Sequence, residues 1–248
     1  MGIAVEIAVQ DVSGVRIALA EGADRIELCT ALGMGGLTPS AGLVHSAVEA
    51  AGREGRDGFV HVLVRPRGGG FVYDASEVRA TVADIRFARA AGAAGVVVGA
   101  LDEDSLIDGE ALRRFVEAAE GIPVTFHRAL DIVRDPVAAI DELADLGIHR
   151  VLTSGGASRS VDGVSTLRTL VQRAGGRLQV MAGGGVSVDD IPVIARAGVD
   201  AVHLSARDRV TGAPSGPGGG DADYDITDPA TVAAAVTAAR RTHGEASA

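Results

Sequence analysis

The chain has 248 residues, a formal net charge of -10 and a hydrophobic share of 47%, a globular composition that excludes a wholly disordered or fibrous protein. The acidic balance argues against nucleic acid as a partner, because such binding depends on clustered Lys and Arg. All 23 Lys or Arg positions are Arg, which excludes mechanisms that need a lysine. The single cysteine, Cys29, excludes an internal disulfide and a zinc site made of cysteines alone.

The N-terminal segment favours a cytoplasmic protein. Its opening, MGIAVEIAVQD, contains acidic residues and no basic residue, whereas a secretory signal begins with positive charge. No apolar run reaches the ~18 residues of a transmembrane helix. We therefore expect no membrane partner.

Apolar segments along the chain predict eight β-strands. Four of them are the segments 3–9, 59–64, 122–127 and 177–182. The other four end the segments 21–28, 91–98, 146–153 and 197–204, each of which begins with a helix end that contains Gly, followed by a short link. Strands that alternate with single helices in units of ~30 residues are typical of a closed parallel (β/α)8 barrel, the TIM-barrel class of α/β proteins. We expect one such domain over residues 1–248. The alternative, an open doubly wound sheet, needs a Gly-rich turn after the first strand, and residues 10–14 do not supply one.

Local signals predict where helices begin. The Asp-Pro pairs at 135–136 and 228–229 each place a capping carboxylate before a proline in the first helical position. Ser187 with Asp190 predicts a capping box. The Gly/Pro-rich segment 207–228, after the eighth strand, predicts a mobile loop over the mouth of the barrel, with a surface insertion of no functional role as the alternative.

Polar residues concentrate at the predicted C-terminal ends of the strands, where a barrel of this kind carries its active site. The candidate ligand-binding or catalytic residues are Glu6, Glu27, Arg65, Arg67, His127, Arg128, Asp131, Thr153, Ser154, Gly183, Gly184, Gly185, His203 and Ser205. The structural alternative is that these groups satisfy one another, for example Glu27 with Arg65 or Arg128. His61, early in the third strand, is expected to be a core histidine bonded to a neighbour.

The chemistry of this set indicates a small anionic ligand. Guanidinium groups suit carboxylate or phosphate, and the glycines at 183–185 expose backbone N–H groups that attract anions. His127 is the candidate general acid or base, with Asp131 or Glu27 to orient it. Asp131 alternatively caps the next helix.

Cys29 lies two residues after Glu27, on the same predicted face of the second strand. A thiolate is a soft ligand that suits copper(I), and a lone buried cysteine is otherwise a small apolar filler. The chain has one Cys and three Met, so composition alone does not indicate copper.

The blocks RIELC, GGLTPS, RPRGGGFVY, FHRALD, RVLTSGG, MAGGGV and VHLSAR follow one another along the chain. Together they closely resemble the CutC copper-homeostasis protein family. The resemblance implies a (β/α)8 barrel, a cytoplasmic location, a homo-oligomer and a role in copper tolerance or copper binding. It places Cys29 as the copper(I) ligand. Other members carry further cysteines around the first two strands, where this chain reads IAVQD at 7–11.

Two functions from different classes follow. The resemblance implies a cytosolic copper-binding barrel that takes part in copper homeostasis. The polar strand ends indicate instead an enzyme that acts on a small carboxylated or phosphorylated substrate at the mouth of the barrel. The sequence shows no motif for a nucleotide cofactor.

Overall fold

The computed structural model describes residues 3–212 and 223–245. Within them, eight parallel strands pair in chain order, and the eighth pairs with the first to close a barrel. The barrel strands are β1 (Ala4–Val9), β2 (Arg25–Leu28), β3 (Val60–Leu63), β4 (Gly95–Val98), β5 (Val124–Phe126), β6 (Arg150–Thr153), β7 (Gln179–Gly183) and β8 (Ala201–Leu204). The predicted (β/α)8 barrel is therefore confirmed.

Helices connect successive strands around the outside of the barrel. They are α1 (Val12–Ala20), α2 (Ala41–Arg53), α3 (Ala75–Ala90), α4 (Gly109–Ala119), α5 (Pro136–Asp145), α6 (Val164–Ala174), α7 (Ile191–Ala195) and α8 (Pro229–Glu245). The predicted starts are confirmed: Asp135 and Asp228 each accept hydrogen bonds from backbone N–H groups of the following turn. The Asp190 carboxylate accepts from the Ser187 N–H at 2.9 Å. None of the helices in the described ranges combines the length and apolar character that a bilayer-spanning helix requires.

Side chains alternate between the interior of the barrel and the layer between strands and helices. The outer layer holds the main apolar core, with fully buried residues such as Ile7 and Ile26. Inside the barrel, the strand register sets Glu6 opposite Arg25 on one side and His203 on the other. The closed sheet thus brings charged side chains from three neighbouring strands together.

Two small apolar clusters fill the barrel beside these charged groups. One comprises Cys29, Leu63 and Val97, and the other comprises Leu152, Met181 and Ala201. Both are almost fully buried. The barrel interior is consequently a packed core.

The segment predicted as a loop at 207–228 is in part a hairpin, which corrects that prediction. Strands β9 (Arg207–Val210) and β10 (Tyr224–Thr227) pair in antiparallel register. Arg207 and Asp225 form an ion pair at 3.1 Å across the two strands. Oppositely charged cross-strand pairs of this kind stabilise a hairpin that composition alone did not reveal. The rest of the Gly/Pro-rich segment, residues 213–222, lies outside the described residues.

One side chain joins this hairpin to the segment that follows β2. The Gln10 amide, just after β1, donates to the carbonyl oxygen of Asp225 at 2.8 Å. Its own oxygen accepts from the backbone N–H of Leu32, in the segment after β2, at 3.1 Å. The two segments are therefore held to each other through a single residue.

Candidate active site

A cavity of about 260 Å³ opens at the C-terminal ends of the barrel strands. It brings together eight of the predicted site residues, namely Glu27, Arg65, His127, Arg128, Gly184, Gly185, His203 and Ser205. Its lining also includes residues that sequence reasoning missed, among them Leu32, Phe71, Leu152 and Arg207. Phe71 lies in the Gly-rich loop after β3. The sequence RPRGGGF predicts this loop, but it does not indicate that the phenylalanine lines the cavity.

Below the cavity, Glu6 is fully buried between two cationic partners. Its carboxylate accepts from Arg25 Nε at 2.5 Å and lies 2.8 Å from His203 Nδ1. Burial alone would raise the pKa of Glu6, but Arg25 and His203 hold it well below its ordinary value. Glu6 is therefore a permanent anion that fixes His203, and it does not line the cavity.

Arg25 was not predicted as a site residue. It stands at the N-terminal end of β2, and the sequence reasoning considered only the C-terminal strand ends. The sequence feature that indicates its place is the alternation of Arg25, Glu27 and Cys29, which puts all three side chains on one face of β2. A second buried arginine, Arg150 of β6, donates to Thr125 at 3.1 Å inside the barrel.

Glu27 is a buried carboxylate that accepts no hydrogen bond from the described residues. Its closest ionic neighbour is His203, with Nε2 at 3.9 Å from the carboxylate oxygen. Burial raises the pKa of Glu27 to about 7, opposed by the His203 charge and reinforced by that of Glu6. The predicted pairing of Glu27 with Arg65 or Arg128 is wrong, because both arginines have other partners.

His127 follows β5 and is 6% exposed. Its Nδ1 accepts from the Ala129 N–H at 3.2 Å, and its Nε2 is buried without a partner. Burial, with the charge of Arg65, lowers the pKa of His127 to about 3. The ring is therefore neutral with its proton on Nε2. Neither predicted carboxylate orients it, because the local backbone does so.

Arg65 is held by backbone carbonyl groups. Its Nη1 donates to the oxygens of Met34 and Gly36 at 3.3 and 3.2 Å, and its Nη2 donates to that of Gly69 at 2.7 Å. Its Nε is buried without a partner. The guanidinium lies over the Phe71 ring at 5.1 Å. The charge of Arg65 thus has no counter-ion among the described residues.

Arg128, by contrast, belongs to a small network behind the cavity wall. Its Nε donates to Asp131 at 2.8 Å and its Nη2 to the Ser154 hydroxyl at 3.3 Å. The other oxygen of Asp131 accepts from the Thr153 hydroxyl at 2.5 Å and from the Ser154 N–H at 2.9 Å. These three residues therefore position Arg128. Asp131 does not cap the next helix, since Asp135 does.

Two glycines at the end of β7 have distinct roles in this geometry. Gly184 has a positive φ of 123°, and a Cβ there would lie 2.8 Å from Cζ of Arg128. Gly183 lies inside the strand, where a Cβ would lie 2.5 Å from Cδ1 of Leu152 and 3.0 Å from Cβ of His203. Gly183 therefore makes room for Leu152 and His203 and does not line the cavity.

The structure places Arg67 outside the cavity lining. Its guanidinium pairs with Glu77 at the start of α3 and donates to the carbonyl oxygen of Val72 at 2.8 Å. Arg65 and Arg67 are in a loop, so the alternation of a strand no longer aligns them. The expectation that Arg67 holds the anion does not match this position.

His61 lies deep in the barrel, as expected, but its Nδ1 has no hydrogen-bond partner. The expected bond to a neighbour is thus missing at that nitrogen. Burial lowers the pKa of His61 to about 4, so the ring is neutral. Its space is provided by Gly95 of the adjacent strand, where a Cβ would lie 2.6 Å from Cε1 of His61.

Cys29 is fully buried and packs with Leu63, Val97 and Leu32. Its sulfur lies 3.6 Å from the carbonyl oxygen of Val9, and burial, with the charge of Glu27, raises the pKa of the thiol. No second soft ligand belongs to this cluster, so the surroundings do not fit a tight copper(I) site. Copper(I) binding by Cys29 stays a prediction.

One group of potential metal ligands occurs among the described residues. Atoms of Glu6, Glu27 and His203 lie within 4.8 Å of one another. This oxygen and nitrogen set is not the soft set that copper(I) prefers. Both oxygens of Glu6 are already engaged by Arg25 and His203, so the group resembles a hydrogen-bonded cluster more than a metal centre.

Comparisons with known proteins agree with this architecture. The chain is 39% identical over 204 residues to family protein CutC of Pasteurella multocida (strain Pm70), covering 82% of each. It is 41% identical over 207 residues to the copper homeostasis protein cutC homolog of Homo sapiens, covering 83% of this chain and 74% of the human one.

Among solved structures, CutC from Streptococcus agalactiae matches with a TM-score of 0.77 and 32% identity, covering 82% of this chain and 98% of that one. Thiamine phosphate pyrophosphorylase from Pyrococcus furiosus shares only the fold, at a TM-score of 0.61 and 18% identity, covering 97% of this chain and 96% of that one. The CutC family profile matches residues 3–208. The chain therefore belongs to the CutC family.

Proposed function

We propose that this chain is an enzyme that transfers a proton to or from a small anionic compound bound in the mouth of the barrel. The observation that carries the proposal is Glu27. It is a carboxylate that lies more than nine-tenths buried in the cavity wall and accepts no hydrogen bond from the described residues.

A buried carboxylate that accepts no hydrogen bond is unfavourable for stability. Proteins retain such groups at sites where a perturbed pKa serves chemistry. A pKa of about 7 lets Glu27 exist in both protonation states at neutral pH, which is the property of an efficient general acid or base. His203, which is held by Glu6, places its imidazole ring beside the Glu27 carboxylate.

The remaining cavity residues suit the binding of an anion. Arg65 and Arg128 both line the cavity, and the Asp131 network holds Arg128 in place. The neutral ring of His127 is better suited to donate a hydrogen bond from Nε2 than to take up a proton. We therefore assign proton transfer to Glu27 and substrate polarisation to His127.

Proton exchange in deuterated water tests the proposal. The purified protein is incubated with pyruvate or with dihydroxyacetone phosphate, and proton NMR follows the loss of signal from the carbon beside the carbonyl group. We expect exchange with at least one of these probes, reduced ~10²–10⁴-fold in Glu27→Gln. Glu49→Gln, on the exposed face of α2, is the matched control. Equal rates in wild type and Glu27→Gln contradict the proposal.

Copper homeostasis is the second candidate, favoured by the name of the human relative. The donors around Cys29 do not fit copper(I), so no step of the chemistry is assigned to the metal. An anaerobic copper(I) titration against a competing chelator compares wild type with Cys29→Ser. Stoichiometric binding that is lost in the variant supports a direct copper role, and no competition by wild type contradicts it.

The cytoplasmic location and the homo-oligomer implied by family membership are part of this proposal. Light scattering of the purified chain and fractionation of the producing cells test them. A monomer, or protein recovered outside the cytoplasm, contradicts the respective expectation.

A further inference from the structure

Two buried hydrogen-bond donors in the cavity wall have no acceptor. They are Nε2–H of His127 and Nε–H of Arg65. Both residues line the same cavity and both contact Phe71, whose ring centre lies 4.7 Å from that of His127 and 5.1 Å from the Arg65 guanidinium carbon. Buried donors without an acceptor are rare in native proteins, because each loses its bonds to water. Two of them at one cavity point to a missing acceptor.

Tyr73 offers a protein acceptor for one of the two donors, because its hydroxyl group is also buried without a partner and interacts with Arg65. The Nδ1 atom of His127 is fixed by the Ala129 N–H, and the other nitrogens of Arg65 are fixed by three carbonyl groups. Gly99 lies against the His127 ring, where even a Cβ would overlap it. The Nε2–H of His127 is therefore the donor that is preorganised for an external oxygen.

The charges of the wall decide between a carboxylate and a phosphate. Arg128 is paired with Asp131, and Arg207 is paired with Asp225. Arg65 is the one arginine of this wall without a carboxylate partner among the described residues. When Glu27 is protonated, which its raised pKa allows at neutral pH, one uncompensated cation remains and matches a monoanion, whereas a phosphate monoester carries ~1.5–2 negative charges at neutral pH.

The size and the apolar part of the wall limit the rest of the ligand. A cavity of about 260 Å³ lies just below the ~300–1,000 Å³ of typical ligand pockets. Leu63, Phe71 and Leu152 form apolar lining. This space suits a short carbon chain.

We propose that the cavity binds a short-chain carboxylate, such as a 2-oxo acid, one of whose oxygens accepts a hydrogen bond from His127 Nε2 beside the positive charge of Arg65. The position of the ligand rests on the proposed function, since it is the same cavity. The class of ligand depends on His127 and Arg65 and does not require Glu27 to transfer a proton.

Nitrogen-15 NMR of the histidine side chains tests this directly. Pyruvate, acetate and inorganic phosphate are titrated separately into the labelled full chain. We expect a neutral His127 with its proton on Nε2, and a shift of that resonance with pyruvate or acetate at tens of millimolar or below. Phosphate is expected to leave the resonance unchanged. A response to phosphate alone, or to no probe, overturns the proposal.

Variants separate the donor from the shape of the ring. His127→Phe keeps an aromatic ring without the donor, and we expect calorimetry to show at least ~10-fold weaker pyruvate binding. His127→Gln places an amide donor near the position of Nε2 and is expected to recover part of the affinity. Arg67→Gln, outside the cavity lining, is the matched control and should bind as wild type does. Wild-type affinity in a folded His127→Phe protein overturns the proposal.

The two proposals fail in different ways. Carboxylate binding at His127 without Glu27-dependent proton exchange removes the proposed catalysis and leaves the ligand class intact. Glu27-dependent exchange with dihydroxyacetone phosphate and not with pyruvate keeps the catalysis and removes the carboxylate.

Discussion

Gly99 lies flat against the imidazole of His127, so closely that any side chain at this position would overlap the ring. The glycine follows β4 and the histidine follows the neighbouring β5. The shape of the cavity wall therefore depends on the absence of a side chain at Gly99 as well as on the ring of His127.

We expect Gly99→Ala to destabilise the chain by about 1–3 kcal/mol, because the methyl group overpacks the wall and displaces His127. Urea unfolding measures the change in the free energy of unfolding. Gly52→Ala, at an exposed site in α2 with open space around it, is the control and is expected to be neutral or stabilising by ~0.5–1 kcal/mol. Equal effects of the two substitutions would show that Gly99 is not under steric constraint.

Glu6→Gln is expected to destabilise the chain by ~3–5 kcal/mol at pH 7, because it leaves Arg25 buried without a counter-ion. Because the pKa of Glu6 is lowered in the fold, its contribution is present above the unfolded pKa and is lost as pH falls. Urea unfolding at pH 7 is compared with Glu49→Gln, which breaks an exposed pair with Arg53 and is expected to change stability by less than ~0.5 kcal/mol. A loss no larger than that of the control contradicts the assigned role.

Glu27→Gln is expected to have the opposite effect on the free energy of unfolding. The folded pKa of Glu27 is raised to about 7, so wild type loses stability as pH rises from the unfolded value toward 7. The glutamine variant lacks this loss and is expected to be more stable than wild type by roughly 1–3 kcal/mol at pH 8. The gain should shrink at pH 5, where the carboxyl group is largely protonated in the fold. A gain that is equal at both pH values contradicts the raised pKa.

His127 and His61 are expected to make the fold sensitive to acid. Their folded pKa values, about 3 and about 4, lie below the ordinary value of 6.5. The unfolded chain therefore binds more protons, and stability falls as pH drops below 6.5. His127→Asn is expected to flatten the decline between pH 6.5 and 4.5 in urea unfolding. The exposed His149→Asn is the control, and an unchanged slope in His127→Asn would show that the ring is not buried neutral.

The fold was predictable because its signals are local. Alternating apolar segments, Asp-Pro pairs and helix-ending glycines each need only a few neighbouring residues. The hairpin at the mouth was missed, since its pairing of Arg207 with Asp225 spans a low-complexity segment.

The sequence predicts which strand ends carry the polar residues of the site. It does not predict which of these residues contact one another. Which acidic residue pairs with which arginine depends on how neighbouring strands are aligned in the closed barrel. A short stretch of sequence does not contain this information. Glu6 meets Arg25 because β1 and β2 are aligned at those positions, and Arg67 lies outside the cavity lining, paired with Glu77 at the start of α3. The unpaired donors of His127 and Arg65 appear only once the three-dimensional surroundings are known.

The bridge made by Gln10 has a dynamic consequence. Its amide donates to β10 and accepts from Leu32, so the hairpin and the segment after β2 are both anchored to the residue that follows β1. Because a movement of Gln10 disturbs both hydrogen bonds, we expect the amide protons of the two segments to exchange with solvent at similar rates. Glutamate in place of Gln10 retains the acceptor and removes the donor, and would uncouple those rates.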